Sequence, residues 1–306
     1  DQPGRRHGSD LFAGGADEKA AGRVIARSWL FVPGDDERKL NKVAASRADA
    51  VIIDLEDAVA ASRKDDARSL TAALLRDATA RHSETWVRVN SIETPWFKED
   101  LASIADAAPV GIVLPKVNSA TALQAVDRRL HELSNKTVSL LPLTTETARG
   151  VLALPTYAGL PASVAALTWG AEDLAADVGA AANRNANGDW LAPFELARSL
   201  CLLAAAANGL PAIDTVYTDF RNTDGLAAYA SGARRLGFAG MLAIHPAQIE
   251  IIHAAFTPSV DEITHAQAVL AAFDGAAAGV ASLDGRMLDE PHRRQAEQIL
   301  AWAQRT

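Results

Sequence analysis

Short apolar runs recur along the chain, and the longer stretches between them repeat apolar residues with a helical period. Eight runs predict β-strands: Trp29–Val32, Ala50–Leu55, Thr85–Asn90, Gly111–Leu114, Val138–Leu143, Ala165–Gly170, Ala212–Thr215 and Gly240–Ile244. The intervening stretches predict helices, among them Asp65–Thr79, Ala120–Leu133 and Pro193–Asn208. Within the runs, apolar residues are consecutive rather than alternate, which is typical of parallel strands buried on both faces.

This alternation of strands and helices predicts the fold class. Eight strand–helix units in succession favour an α/β fold of the (β/α)8 or TIM-barrel type over a doubly wound open sheet. We expect a flexible N-terminal tail over residues 1–26 and the barrel domain over residues 27–258. Residues 259–306 predict a C-terminal helical extension with a final helix over Pro291–Gln304.

Composition and charge exclude several classes of function. The chain has 306 residues and a formal net charge of −8, which argues against a nucleic-acid partner. No apolar segment reaches the roughly 18 residues of a membrane span, so we expect no membrane partner and a cytoplasmic location. The only cysteine, Cys201, excludes an intrachain disulfide and a cysteine-based zinc site.

Titratable residues gather where the predicted strands end, and in a β/α barrel these ends surround the active-site mouth. In chain order they are Asp54, Glu56, Asp57, Arg88, Lys116, Glu146, Glu172, Asp173, Asp214 and His245. So many carboxylates at one mouth repel each other unless a cation compensates them. Glu146 and Asp173, on neighbouring strand ends, are therefore candidate ligands of Mg²⁺, an ion that commonly takes one or two carboxylates and water.

Several of these residues have an alternative explanation. Arg88 places a guanidinium where an anion could bind through two hydrogen bonds, and the competing explanation is a structural ion pair with Asp54 or Glu56. Glu172 is better explained as a helix cap or a solvated loop residue. His245 is either a core histidine or part of the wall of the mouth.

The segment SWLFVPGDDERKLNKV predicts a strand that stops at Pro-Gly and is followed by a basic helix. The helix would carry Arg38, Lys39 and Lys42. The N-terminus of a helix and cationic side chains both attract anions. We therefore expect an anionic group of the substrate to bind there.

Nine segments, in order along the chain, resemble the HpcH/HpaI aldolase family and within it the citrate lyase β-subunit-like branch. They are LFVPGDDERKLNK, ADAVIIDLEDAV, VRVN, GIVLPKV, TETARGV, LTWGAEDLAADVG, AIDTVYTDFRNTDGL, GFAGMLAIHPAQIEIIHAAFTPS and LDGRMLDEPHRRQAEQIL. The resemblance extends from about Arg27 to Trp302. It implies a TIM barrel of the phosphoenolpyruvate/pyruvate superfamily, usually assembled as a homotrimer or hexamer.

The resemblance also implies an activity. Members of this family are Mg²⁺-dependent carbon–carbon lyases, in which Mn²⁺ could replace Mg²⁺. They cleave 3-hydroxyacyl-CoA esters such as citryl-, malyl- or citramalyl-CoA reversibly into acetyl-CoA, or a homologue, and a 2-oxo acid. A malyl-CoA-type thioesterase, a CoA-independent metal-dependent aldolase and a non-catalytic barrel subunit remain alternatives.

Roles for individual residues follow from the resemblance alone. Glu146 and Asp173 match the metal ligands, and Arg88 matches the arginine that holds the oxo-acid carboxylate or the thioester oxygen. Glu56 and Asp57 match acids that bind metal-coordinated water, and Glu56 is also a candidate base. Residues expected to contact substrate or CoA are Arg38, Lys42, Asp57, Lys116, Gly170 and Ala171.

Asp289 matches a catalytic acid that is delivered from a C-terminal lid to a neighbouring subunit. Two features depart from the family pattern: the residues DDE after the FVPG turn, and Thr145 before the metal glutamate. Both lie near the mouth, so they leave the identity of the acyl group open. The polar segment AANRNANGDW could shape the acyl pocket.

Overall fold

A computed structural model of the chain describes residues 26–107, 109–134, 136–274 and 280–304. The predicted N-terminal tail lies outside the described residues except for Ala26.

Eight parallel strands form one sheet in the order β5-β4-β3-β2-β1-β8-β7-β6. They are β1 Ser28–Pro33, β2 Ala50–Asp54, β3 Thr85–Arg88, β4 Gly111–Leu114, β5 Ser139–Pro142, β6 Leu167–Thr168, β7 Ala212–Asp214 and β8 Gly240–Ala243. Parallel bridges from Leu140 to Val164 and from Leu143 to Thr168 join β5 to the β6 segment. The sheet is therefore closed on itself, which confirms the predicted (β/α)8 barrel.

Six strands are shorter than predicted: β2, β7 and β8 by one residue, β3 and β5 by two, and β6 by four. Local contacts explain where β3 and β6 end. β3 ends at Arg88 because the N–H of Asn90 donates to Asp100 Oδ2 at 2.8 Å instead of continuing the ladder. β6 ends at Thr168 because Gly170 is already the residue that caps the next helix. Both strands thus give way to irregular backbone at the end where the charged residues gather.

Helices follow the strands around the outside of the barrel. They are α1 Glu37–Leu40, α2 Lys64–Arg76, α3 Phe97–Ile104, α4 Ala120–Leu133, α5 Ala148–Ala153, α6 Ala171–Asp177, α7 Ala192–Ala207, α8 Thr223–Leu236, α9 Ile249–Phe256, α10 Val260–Asp274 and α11 Glu290–Ala303. α4 shows how the sequence forms them: Ser119 caps its N-terminus, and Leu123, Val126 and Leu130 bury one face. Within the described ranges, no helix combines the length and the apolar character needed to cross a bilayer.

The side chains inside the barrel close it below the mouth. Strand residues alternate, so that Trp29, Ile52, Trp86 and Leu141 belong to an inner cluster while their neighbours pack against the helices. The rings of Trp29 and Trp86 meet edge to face with centroids 5.0 Å apart. Among the described residues, these side chains fill the barrel below the cavity, which opens at the carboxyl ends of the strands.

Beyond α9 the chain forms α10, a hairpin of β9 (Ala281–Leu283) and β10 (Arg286–Leu288), and α11. The hairpin is absent from the predicted elements. Its turn uses Asp284 and Gly285, both at positive φ (49° and 77°), as in two-residue hairpin turns of type I′. These elements share a separate hydrophobic cluster: Ala266, Val269, Ala281, Leu288 and Ala296. The expected domain boundary at 258–259 falls between α9 and α10 and stays a prediction.

Candidate active site

The carboxyl ends of the strands open into a cavity of about 1250 Å³. The predicted site residues that line it are Arg38, Lys42, Asp57, Arg88, Glu146, Gly170, Ala171 and Asp173. Glu56 and Lys116 do not line the cavity but contact residues that do. The fold thus brings together residues that the sequence places on six different strand ends.

Arg88, the last residue of β3, is held in a buried ion pair. Its Nε and Nη2 donate to the two carboxylate oxygens of Asp54 at 2.7 and 2.6 Å, so the alternative of a structural ion pair is realised. The remaining Nη1 lies 3.0 Å from Glu56 Oε2, and the guanidinium packs over the ring of Phe31. Burial alone would lower the pKa of Arg88, but the Asp54 carboxylate outweighs it and raises the pKa. Arg88 is a rigid, permanently charged group at the cavity wall.

Glu146 follows β5 and is 2% exposed. Its Oε2 accepts a hydrogen bond from the backbone N–H of Lys116 at 2.6 Å. Gly170 allows this packing, because a Cβ at position 170 would lie 2.8 Å from Glu146 Cγ. Burial, together with the nearby charges of Asp173 and Glu56, raises the pKa of Glu146 to about 8.

Lys116 lies at the centre of the acidic cluster rather than at the substrate end of the cavity. Its Nζ is 2.6 Å from Glu56 Oε1, 3.1 Å from Asp173 Oδ1 and 3.8 Å from Asp57 Oδ2. Burial alone would lower the pKa of Lys116, but the hydrogen bond to Glu56 and the surrounding carboxylates raise it. The ammonium group therefore stays charged among the acids.

Glu56 is buried beside two cations. Burial raises its pKa to about 7, although the charges of Arg88 and Lys116 oppose the shift. The loop that carries it is fixed by Lys64, whose Nζ donates to the carbonyl oxygens of Leu55 and Glu56 at 2.7 Å each. Sequence reasoning missed Lys64, since a lysine in the first turn of an amphipathic helix normally points into water.

The carboxylates Glu146 and Asp173 fit a small hard cation. Both carry oxygen donors at the cavity wall, and burial together with the charge of Asp173 raises the pKa of Glu146. In the part of the chain that is described, no three or more His, Cys, Asp or Glu side chains are already arranged as a coordination shell. Two carboxylates would leave the remaining positions to water and substrate, which is how Mg²⁺ is commonly bound.

A basic edge lies on the β1 side of the cavity, with Arg38 on the predicted basic helix and Lys42 just after it. α1 is a single turn whose N-terminus is capped by Asp36, which accepts the N–H of Lys39 at 3.0 Å. The Asp36 carboxylate therefore already occupies the N-terminus of α1, and an anion would be attracted by the charges of side chains instead. Lys39 pairs with Asp36, whereas none of the ion pairs in the described ranges involves the exposed Arg38 or Lys42.

Asp214, expected at the mouth, is a structural residue below it. It is fully buried and accepts hydrogen bonds from Trp169 Nε1 at 2.6 Å and from Arg198 Nη2 at 2.6 Å. Trp169 lines the cavity, so this network fixes one wall. Sequence reasoning missed Arg198, which is buried on α7.

Three other predicted positions can be placed directly. Glu172 is exposed and accepts a hydrogen bond from Asn183 Nδ2 at 2.9 Å, in agreement with a solvated loop residue. His245 lines the cavity and stacks on Phe220, with ring centroids 4.7 Å apart, so it is part of the wall. Asp289 caps α11, pairs with His292 and is not among the described residues that line the cavity.

The closed barrel with an acid-rich mouth and a basic edge defines a class of (β/α)8 enzymes, and family models narrow it further. A model described as HpcH/HpaI aldolase/citrate lyase matches residues 27–246. A second, described as a C-C bond lyase of the TIM-barrel fold, matches residues 201–305. The chain belongs to the HpcH/HpaI aldolase/citrate lyase family.

Curated relatives within the family carry different activities. The chain is 40% identical over 281 residues to a (3S)-malyl-CoA thioesterase of Cereibacter sphaeroides, covering 91% of this chain and 94% of that one. It is 33% identical over 298 residues to the mitochondrial citramalyl-CoA lyase of Rattus norvegicus, covering 92% and 86%.

A solved structure of protein CitE from Mycobacterium tuberculosis, in complex with magnesium, acetoacetate and coenzyme A, is similar in fold. It superposes with a TM-score of 0.76 at 34% identity, covering 91% of this chain and 98% of that one. The citrate lyase β subunit of the same organism, complexed with oxaloacetate and magnesium, superposes with a TM-score of 0.66 at 34% identity, covering 78% and 99%.

Proposed function

We propose that this protein is a Mg²⁺-dependent lyase that cleaves a 3-hydroxyacyl-CoA ester reversibly into acetyl-CoA, or a homologue, and a 2-oxo acid. The observation that carries the proposal is the arrangement of Glu146 and Asp173 in one cavity with the buried guanidinium of Arg88. The related citramalyl-CoA lyase and the CitE complex with magnesium, acetoacetate and coenzyme A support it.

The cavity suits a long substrate with charge at both ends. Arg38 and Lys42, exposed on the β1 edge, would bind the phosphates of CoA through charge-assisted contacts. The acyl group would lie deeper, against Gly170 and Ala171 and next to the acidic cluster.

Glu146 and Asp173 would hold the Mg²⁺, with Asp57 orienting its water ligands. The bound ion would polarise the hydroxyl and carboxylate oxygens of the substrate. Glu56 does not line the cavity, so it would accept the hydroxyl proton through a water molecule, and a pKa of about 7 suits proton transfer near neutral pH.

When the carbon–carbon bond breaks, its electron pair moves onto the thioester carbonyl, and Arg88 would stabilise the resulting enolate oxygen. Asp289 of a neighbouring subunit would then protonate the enolate carbon to give acetyl-CoA. The hydroxyl-bearing fragment leaves as the 2-oxo acid.

A second candidate function is hydrolysis of a malyl-CoA-type thioester on the same scaffold. It is favoured by the 40% identity to the (3S)-malyl-CoA thioesterase. Both reactions would use the same metal ligands and the same CoA edge, and they differ only in their products.

One assay separates the two functions. Purified protein is incubated with Mg²⁺ and a panel of 3-hydroxyacyl-CoA esters, and both 2-oxo acid (as its hydrazone) and free thiol are measured. Lyase activity releases oxo acid without thiol, and thioesterase activity releases thiol without oxo acid. Glu146→Gln should abolish turnover, whereas the matched control Glu172→Gln, at an exposed position of the same cavity, should keep it. Full turnover by Glu146→Gln, or in excess chelator, would contradict the proposed metal site.

We further propose that the protein is a cytoplasmic homotrimer or hexamer in which residues 259–306 form a lid. The support is that Asp289 does not line the cavity of its own chain. Mixing Arg88→Ala and Asp289→Asn chains and reassembling them should restore part of the activity that each lacks alone. Failure to restore activity in verified mixed oligomers would argue against a shared site.

A further inference from the structure

Lys116 binds the acidic cluster through both its backbone and its side chain. Its backbone N–H donates to Glu146 Oε2 at 2.6 Å, and its Nζ lies 2.6 Å from Glu56 Oε1 and 3.1 Å from Asp173 Oδ1. One residue therefore contacts acids that follow β2, β5 and β6. No other lysine or arginine among the described residues forms an ion pair with Asp173.

The backbone conformation of Lys116 fits this position. Its φ of 52° lies in the left-handed region, which residues other than glycine rarely adopt. This conformation accompanies the hydrogen bond of the N–H to Glu146, while the side chain reaches the carboxylates of the neighbouring strands. An unusual backbone conformation retained at a charged site indicates a functional demand on that residue.

The contact between Lys116 and Asp173 opposes the binding of a cation by Asp173. An ammonium 3.1 Å from Asp173 Oδ1 and a divalent cation bound by the same carboxylate repel each other, in a partly buried site where repulsion is poorly screened. The ammonium of Lys116 and the divalent cation also compete for the negative charge of the Asp173 carboxylate. Glu56, at 2.6 Å from Nζ, offers the ammonium a second partner if it leaves Asp173.

We propose that Lys116 is an internal competitor of the metal: its ammonium binds Asp173, weakens metal binding there, and must be released from that carboxylate when the ion binds. Lys116 is thus a positioning residue that sets the metal affinity of the site. The inference rests on the proposed function only in taking Glu146 and Asp173 as the metal ligands.

The test measures metal binding and needs no turnover. Mn²⁺ is titrated into the purified full chain and followed by electron paramagnetic resonance of the free ion. Lys116→Met removes the charge and should bind Mn²⁺ at least tenfold more tightly than the wild type. Lys136→Met is the matched control, because Lys136 precedes β5 at the opposite end of the barrel and donates to the Asp106 carbonyl. Its affinity should stay within twofold of the wild type.

Two further variants keep the test decisive. Lys116→Arg retains the charge and should not tighten Mn²⁺ binding, and Lys116→Gln provides a second neutral side chain if the methionine variant does not fold. Equal or weaker binding by the neutral variants overturns this inference alone, provided that the wild type binds Mn²⁺. Absence of Mn²⁺ binding in wild type and variants alike overturns the metal site of the proposed function and this inference with it.

Discussion

Gly170→Ala is expected to damage the metal site through a single added methyl group. The backbone at residue 170 (φ −129°, ψ 124°) suits any amino acid, so the effect must come from the space that the methyl fills. The new Cβ would lie 2.8 Å from Glu146 Cγ, whereas ordinary contact begins at 3.4 Å. Glu146 would therefore have to move by roughly 0.6 Å, and such overpacking costs about 1–3 kcal/mol of unfolding free energy.

The same shift would lengthen the 2.6 Å hydrogen bond from Lys116 to Glu146. Disturbing a contact that orients a metal ligand typically costs about 10–100-fold in metal affinity. Calorimetric Mn²⁺ titration and urea denaturation of the Gly170→Ala protein measure the two effects separately.

Gly232→Ala is the matched control for this experiment. Gly232 lies in α8, and the nearest atom to its added Cβ, Arg235 Nη2, is 3.9 Å away. The control should gain up to about 1 kcal/mol, because alanine favours helix more than glycine does. It should also bind Mn²⁺ like the wild type. If Gly170→Ala bound Mn²⁺ as tightly as the control, the close packing of Gly170 on Glu146 would not determine the geometry of the site.

Three further predictions follow from the same contacts. Because burial raises the pKa of Glu146 to about 8, Mn²⁺ must displace a proton from Glu146 below that pH. The affinity of the protein for Mn²⁺ should therefore rise by up to about tenfold per pH unit between pH 6 and 8. A pH-independent dissociation constant would contradict this. Asp214→Asn leaves the guanidinium of Arg198 buried without its counter-charge and should lower the urea-derived unfolding free energy by about 3–5 kcal/mol; a loss below about 1 kcal/mol would show that Arg198 finds another partner. Arg38→Ala should raise KM for the acyl-CoA roughly fivefold with kcat unchanged, because an exposed ionic contact is worth about 1 kcal/mol. The difference in KM between variant and wild type should shrink in high salt. An effect on kcat alone would instead place Arg38 near the reacting atoms.

The barrel could be predicted because its strands are consecutive apolar runs, and such runs have few other uses in an α/β chain. The strand ends were less accurate where tertiary contacts decide them, as at Asn90, whose N–H turns to the Asp100 carboxylate. The β9–β10 hairpin has a sequence signal, the Asp284-Gly285 pair, from which a hairpin could have been predicted.

The active site, too, could be predicted only in part. Its residues could be collected from the strand ends, but their partners could not be assigned from the sequence. For Arg88 the sequence allowed either anion binding or an ion pair. Only the geometry shows that both carboxylate oxygens of Asp54 accept hydrogen bonds from it. The position of Lys116 among the acids depends on a left-handed backbone conformation that no local sequence pattern announces.

In the described part of the chain, Trp29 and Trp86 close the base of the barrel, and the cavity opens at the carboxyl ends of the strands. If the acyl end of a CoA ester rests near the acids and its nucleotide end fills the rim, the deeper product can depart only after the longer one has withdrawn. Product release would then be ordered, with the thioester leaving first and the oxo acid last. In the synthetic direction, the oxo acid would bind first and the thioester second. The order of events would be a property of the barrel's closed base rather than of any catalytic group.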